Sequence, residues 1–271
     1  KGGLRGGNGG QVEVSSHGQL NYAGQVDAAA PNGQNGNLLL DPQNIEIVSS
    51  ASVLSVLNLG GFTPRASAQF GISGVTELKN NGVATGKIVV RSIEDNTAGT
   101  RSGAVRLYDS QTGALISTLA GSLANEQVGA SDSTIDLGNG NFVQYTFRFG
   151  GVTTRGAVTW INGTTGLSGT ISSSNSLVGT LAGNSIGNGG IKVLTNGNYV
   201  VLSPGWEPTT SPTNLGAATW GSGTAGVSGT ISSSNSLVGS TASDAVGLGL
   251  TALTNGNYVV ISSDWNNGVT N

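Results

Sequence analysis

The chain has 271 residues, enough for one or two domains with a sizeable core. Glycine supplies 46 of them, whereas charged residues make up 9% and aromatic residues 5%. A net charge of −3 without a basic stripe excludes a nucleic-acid surface, and so little charge excludes charge-rich disorder.

The 11 bases and 11 of the 14 acids fall within the first 192 residues; beyond Lys192 stand only Glu207, Asp244 and Asp264. Cysteine and methionine are absent, which suits secretion as a long threadable chain as well as it suits compositional drift. Beginning at Lys1, the sequence reads as a processed form or a fragment. No run of eighteen apolar residues points to a membrane span. Apolar residues at three-four spacing are missing, so the expected fold is all-β.

Residues 1–48 alternate in short runs, Val12-Glu13-Val14 and Leu20-Asn21-Tyr22, separated by Gly and Asn. Alternation sends one side chain inward and the next outward along a strand. Runs this short, spaced by glycine turns, fit the rungs of a parallel β-helix. Leu38 to Leu40 suits a strand packed on both faces, and Pro42 ends its ladder. The stretches "GGNGGQVEVSS" and "QVDAAAPNGQNGNLLLDPQNIEI" resemble the end of a filamentous-haemagglutinin-type exoprotein of bacterial two-partner secretion. Gly33, Gly36, Leu38-Leu39-Leu40-Asp41-Pro42 and Asn44-Ile45 carry that resemblance, which implies a secreted protein of the bacterial cell surface. Residues 49–69 read as a connecting segment.

From there the chain repeats. "LTNGNYVV" occupies Leu194–Val201 and Leu253–Val260, with "LGNGNFV" at Leu137–Val143. "GAVTW" at Gly156–Trp160 matches "GAATW" at Gly216–Trp220 and "GAVRLY" at Gly103–Tyr108. "GTISSSNSLVG" stands letter for letter at Gly169–Gly179 and Gly229–Gly239. Each copy opens on a large apolar residue followed by glycine: Phe70-Gly71, Val128-Gly129, Ile186-Gly187 and Val246-Gly247. These are spaced 58, 58 and 60 residues.

A copy contains four strands. The first, as in "GIKVL", ends at Leu194, and Asn196-Gly197 turns the chain with φ > 0. "NYVVLS" is the second, "GAVTWI" the third, and "LSGTIS" from Leu167 the fourth. On this reading the duplicated segment is the outer strand and the connection to the next copy. Repeats of ~60 residues with four antiparallel strands are of propeller-blade size. The expected blades are 70–127, 128–185, 186–245 and a partial one at 246–271. Either the chain is a segment of a longer array, the favoured reading, or "SVLSVLNLGGF" closes the last blade.

"GAVRLYDSQTGALISTLAGSLANEQVG" resembles the repeats of integrin-α-type (FG-GAP) β-propellers, over roughly residues 70–271. Calcium-binding members carry an Asp-rich loop between the first two strands. Here that loop is Gly138–Asn141, Thr195–Asn198 or Thr254–Asn257, without carboxylates, so no calcium is expected.

Residues for catalysis are few. His17, the only histidine, reads as a solvent-facing turn. Glu94 and Asp95, with Arg91 and Arg101 nearby, read as a solvated ion-pair cluster rather than the facing carboxylates of a glycosidase. Neither a catalytic residue, a metal site nor a cofactor is expected. Among the four tryptophans, Trp160 and Trp220 end the third strand and read as packing between blades. Trp206 and Trp265 end the second strand among Pro, Gly, Asp and Asn. They are either further packing or exposed platforms for sugar rings; the second reading makes them the candidate ligand-binding residues. The expected function is a non-enzymatic, secreted adhesin contacting glycans or a host or neighbouring cell surface. The alternative is a structural subunit of an extracellular fibre formed by self-association.

Overall fold

A computed structural model describes residues 6–16, 27–42, 59–60, 69–130, 133–210 and 213–266. The fold is all-β: among these residues the only helical turn is a three-residue 3-10 segment, Gly151–Thr153. The chain divides into two compact units, Lys1–Val56 and Leu57–Asn271.

In the first unit, β1 (Val12–Ser16) pairs in parallel with β2 (Leu38–Pro42), from Val12 opposite Leu38 to Ser16 opposite Pro42. A parallel ladder between strands so close in sequence is what stacked β-helix rungs produce. Leu38 and Leu39 are 40% and 54% exposed, so the expectation of a strand packed on both faces does not hold there. Leu20-Asn21-Tyr22, Asn44-Ile45 and His17 lie outside the described residues, as does "SVLSVLNLGGF" except Leu59 and Gly60.

The second unit is a succession of antiparallel sheets. The first contains β3 (Val75–Asn80), β4 (Val83–Ser92), β5 (Ala104–Asp109) and β6 (Leu115–Ala120). The second contains β7 (Thr134–Asp136), β8 (Phe142–Thr146) and β9 (Ala157–Ile161). After β9 comes a two-residue strand, β10 (Gly169–Thr170), and then β11 (Ser176–Val178). The third sheet repeats the scheme with β12 (Gly190–Val193), β13 (Tyr199–Ser203), β14 (Ala217–Gly221), a short β15 (Gly229–Thr230) and β16 (Ser236–Val238). Last, β17 (Gly249–Ala252) pairs with β18 (Tyr258–Ile261). Among the described residues no sheet closes into a barrel, and the arrangement is compatible with propeller blades.

One expectation needs correcting. The fourth strand of a repeat is not "LSGTIS" but "SLV": β11 pairs antiparallel with β9. "GT" leaves its own sheet and lies parallel on the outer strand of the previous one, β10 on β6 and β15 on β11. The duplicated segment is therefore a cross-brace between neighbouring sheets as well as an outer strand.

Each inner sheet is covered on both faces. From the second sheet, Phe142, Ala157 and Ile161 join a buried cluster with Leu78, Val89, Val105 and Leu119 of the first. Their sequence neighbours Val143 and Val158 point the other way, into a cluster with Tyr199, Val201 and Ala217 of the third. Burial on both faces explains runs such as "NYVVLS", where clean alternation is lost. Fully burying one such side chain stabilises by roughly 1.5–3 kcal/mol. The hydroxyl groups within these faces pair with each other, Thr159 with Ser176 and Thr219 with Ser236, both at 2.7 Å. In the first sheet Arg106 takes that threonine position, and its guanidinium donates to the buried Asp95 at 2.6 Å.

The turns between first and second strands are closed by asparagine side chains. Asn139, Asn196 and Asn255 each accept, through Oδ1, the backbone N–H two residues on. The glycine after each asparagine has positive φ, as at Gly197 (78°), the turn geometry expected of the Asn-Gly pair. Asn139 Nδ2 donates to Gly223 O (3.0 Å) and Asn196 Nδ2 to Gly256 O (3.3 Å), tying each turn to the next repeat.

At every junction the same geometry recurs. The opening residue of a repeat, Val128, Ile186 or Val246, passes over the glycine that begins the preceding third strand. Its N–H donates to Ser102 O, Arg155 O or Leu215 O at 3.0–3.1 Å. Gly103, Gly156 and Gly216 have φ of 75°, 75° and 76°, and a Cβ there would collide with the crossing backbone. Gln127, Ser185 and Ala245, just before the crossing, are themselves left-handed at 56°, 46° and 45°.

Each junction also holds one buried polar side chain: Glu126, Asn184 or Asp244. Asp244 Oδ2 accepts the N–H groups of Ser240 and Thr241, both at 2.8 Å, and Oδ1 that of Asn266 at 3.3 Å. Asn184 caps Thr180 and Leu181 in the same way and donates to Glu207 O. Burial raises the Asp244 pKa, but donation from the Thr241, Ser240 and Asn266 amides outweighs it and holds the carboxyl below its ordinary 3.8. The stability this contributes is present above about pH 3.8 and is lost as pH falls through the depressed folded value. Asp95, held low against burial by Thr97 and Arg106, acts with the same sign. Denaturant melts at pH 6 and at about pH 2.5 should show the parent losing more stability than Asp244→Asn, which keeps the acceptor that Asn184 uses. Equal losses would contradict this.

Candidate functional site

The structure separates the four tryptophans by surroundings rather than by sequence class. Trp206 is 5% exposed, inside the cluster between the second and third sheets. Its backbone N–H donates to Ser203 O at 3.0 Å, and its backbone carbonyl accepts from Gly216 N at 2.9 Å. A sugar platform needs an open ring face, so the platform reading of Trp206 is corrected: it is a packing residue. Trp265 occupies the equivalent place, its backbone N–H donating to Ser262 O at 3.2 Å, yet its side chain is 53% exposed. Phe149 is the member in the second copy, its backbone N–H donating to Thr146 O and its ring packing on the cluster between the first two sheets. The sequence signal for that role was the shared three-residue offset from Thr146, Ser203 and Ser262, at or just after the end of the second strand. The three aromatic residues thus share one role, and only the cover over Trp265 differs.

Trp160, read from sequence as packing, is half-buried and walls a groove of ≈ 210 Å³. Its indole N–H donates to Gly223 O at 3.1 Å, which fixes the ring. The ring lies against Gly226, where a Cβ would come within 2.6 Å of the Trp160 Cβ and where φ is 74°. Asn162, Leu167, Ser174, Asn175 and Val227 contribute to the walls, and none of the lining residues is charged. Asn175 is held rigid: Oδ1 accepts from Ser172 N and Nδ2 donates to Thr170 O, both at 2.9 Å. Asn162 Oδ1 accepts the N–H groups of Thr164 and Thr165, leaving its Nδ2 without a hydrogen-bond partner among the described residues. A fixed indole face beside uncharged amide and hydroxyl groups can take a neutral, hydroxyl-bearing ring.

The same turn recurs with different capping residues. Asp109 accepts from Gln111 N and Thr112 N, and Ser222 from Thr224 N and Ala225 N. Asp109 also accepts from Lys87 at 2.8 Å, and that contact, with the turn amides, holds its carboxyl well below the usual range.

The acidic pair behaves differently from expectation. Glu94 and Arg101 form a surface pair at 2.9 Å, but Asp95 is 1% exposed and bound to Arg106. The pair therefore splits, one carboxylate solvated and the other buried in the first sheet. Among the described residues no three His, Cys, Asp or Glu side chains gather where a metal could sit. No described helix is long and apolar enough to cross a membrane.

A family model described as a repeat of unknown function (DUF5650) matches residues 136–188, 193–248 and 252–271, just under half of the chain. Its stretches start 57 and 59 residues apart, the spacing of the sheets. No curated protein matches the chain.

Thermal or denaturant melts should separate the two loop tryptophans. Trp206→Ala should cost roughly 3–5 kcal/mol, as for a buried aromatic residue. Trp265→Ala, at a half-open site, should cost less than about 1 kcal/mol. Similar losses for both would contradict the difference in cover.

Proposed function

We propose that this chain is a non-enzymatic binding segment of a secreted bacterial surface protein, an adhesin of the haemagglutinin-like kind that attaches to glycans. The observation that carries the reading is the Trp160 groove, where a fixed indole stands among Asn162, Ser174 and Asn175 with no charged residue in the lining. Its ≈ 210 Å³ falls below the ~300–1,000 Å³ of ordinary small-molecule sites and suits one neutral sugar ring. The parallel rungs of β1 and β2, with the sequence resemblance at their ends, support an extracellular setting. On this reading the repeats act as a rigid scaffold that holds the groove.

The test is a titration of the intact chain with neutral oligosaccharides, read by tryptophan fluorescence and calorimetry, beside an Ala225→Glu variant. Ala225 is exposed on the groove rim, so the variant should melt like the parent. Saturable binding by the parent, weakened at least tenfold in Ala225→Glu, is the expected result. No binding across a broad glycan panel, or binding indifferent to the substitution, would remove the groove as the attachment site.

A further inference from the structure

The turn that follows the third strand needs only an acceptor to close it. Asp109 Oδ1 accepts the N–H groups of Gln111 and Thr112, Asn162 Oδ1 those of Thr164 and Thr165, and Ser222 Oγ those of Thr224 and Ala225. Carboxylate, amide and hydroxyl thus serve the turn equally well. The second oxygen of Asp109 goes to Lys87 at 2.8 Å. The amide nitrogen of Asn162 stands in the same place, is surplus to the turn, and belongs to a residue that lines the Trp160 groove.

An amide oxygen accepts two hydrogen bonds, and both amides of the groove have used theirs. Asn162 Oδ1 takes the two turn N–H groups, at 2.8 and 2.9 Å. Asn175 Oδ1 takes Ser172 N at 2.9 Å and the Ser176 hydroxyl at 2.8 Å. Because a backbone N–H must meet an oxygen, these bonds also fix which end of each amide is nitrogen. Only N–H is left for a ligand: the whole NH2 of Asn162, and the one N–H of Asn175 that Thr170 O does not take. The Trp160 indole N–H is already spent on Gly223 O. Leu167 and Val227, half-buried against the cores on either side, add aliphatic wall, and no lining residue carries a charge.

We propose that the Trp160 groove selects sugars bearing an acetamido group. The acetamido carbonyl accepts from Asn162 Nδ2, and its methyl lies against Leu167 and Val227. This rests on the glycan reading and names the sugar class within it. A carbonyl is neutral and only accepts, which matches amides that only donate. A plain hydroxyl would bring a proton that neither amide oxygen can take. A carboxylate would bring a charge to be desolvated with no cation in the lining. Asn162 is therefore the specificity-determining residue, and its turn-capping role is separable from that task.

The experiment titrates the intact chain with N-acetylchitotriose, cellotriose and trigalacturonate, read by calorimetry and tryptophan fluorescence. The parent should bind the acetamido trimer at least tenfold more tightly than cellotriose. Asn162→Asp retains the turn acceptor, as Asp109 does, and should melt like the parent while losing that preference. Asn162→Ser, the cap that Ser222 supplies, should lose it too and serves as the test if the first variant does not fold. Cellotriose bound as tightly as the acetamido trimer, or a preference kept in a folded variant, would overturn the acetamido proposal and leave the glycan reading standing. Tighter binding of trigalacturonate would overturn it as well. So would failure of N-acetylchitotriose to bind, and the glycan reading falls with it only if the other neutral sugars fail too.

Discussion

The structure of the second unit depends on a backbone crossing that only glycine permits. At Gly103, Gly156 and Gly216 the chain is left-handed, and the next repeat's opening residue runs across the space a side chain would fill. Ser102, Arg155 and Leu215 accept the N–H of the crossing residue within about the same distance each time. Because the crossing fixes where a new sheet begins relative to the old one, neighbouring sheets meet face to face and share their cores. Leu177 of one repeat can then pack with Tyr199 and Trp206 of the next. Stability in such an array is a sum over neighbours, so every junction matters and none is central.

That arrangement places functional groups at junctions rather than within single sheets. The Trp160 groove is walled by residues of two successive repeats, and its indole is anchored by the later one. The buried polar position occupied by Glu126, Asn184 and Asp244 likewise bridges repeats, each side chain capping its own loop and reaching the next repeat's. Where the sequence resemblance suggests calcium-binding loops in relatives, these turns use amides that bond across the junction. A chain with few charges can keep order this way because amide and hydroxyl pairs satisfy buried groups without the desolvation cost of ions.

Much of this was legible in sequence because it repeats. The spacing of Gly129, Gly187 and Gly247 located the sheets, and "GIKVL", "NYVVLS" and "GAVTWI" matched β12, β13 and β9. What stayed hidden was which element leaves its own sheet. "GTIS" has strand composition, and nothing in Gly169-Thr170 announces that its partners are Leu119 and Ala120 of the previous repeat. Burial was equally hard to read at single residues. Trp206 and Trp265 have similar polar neighbours, yet one is enclosed by β14 and Ile231 and the other is open. Asp95 lay beside Glu94 in a polar stretch, but the turn after β4, where Asp95 N–H donates to Ser92 O, leaves it buried against Arg106, whose place in strand β5 gave no hint of a buried ion pair. Leu38 and Leu39 failed for the converse reason: composition suggested two covered faces that the described residues do not provide.

The crossing is tested most directly by comparing the unfolding free energies of two glycine variants one junction element apart. Gly156→Val forces a β-branched residue into a left-handed, filled position, at roughly 1–3 kcal/mol for the backbone and a similar amount for overpacking. Gly183, also left-handed at 85°, has open space around it, and its counterparts in the neighbouring repeats are Asn125 and Ser243, left-handed at 63° and 66°. Gly183→Asn should therefore change stability by less than about 1 kcal/mol, while Gly156→Val loses several times as much. A Gly156→Val chain as stable as the parent would show that the crossing does not set the stacking of the sheets.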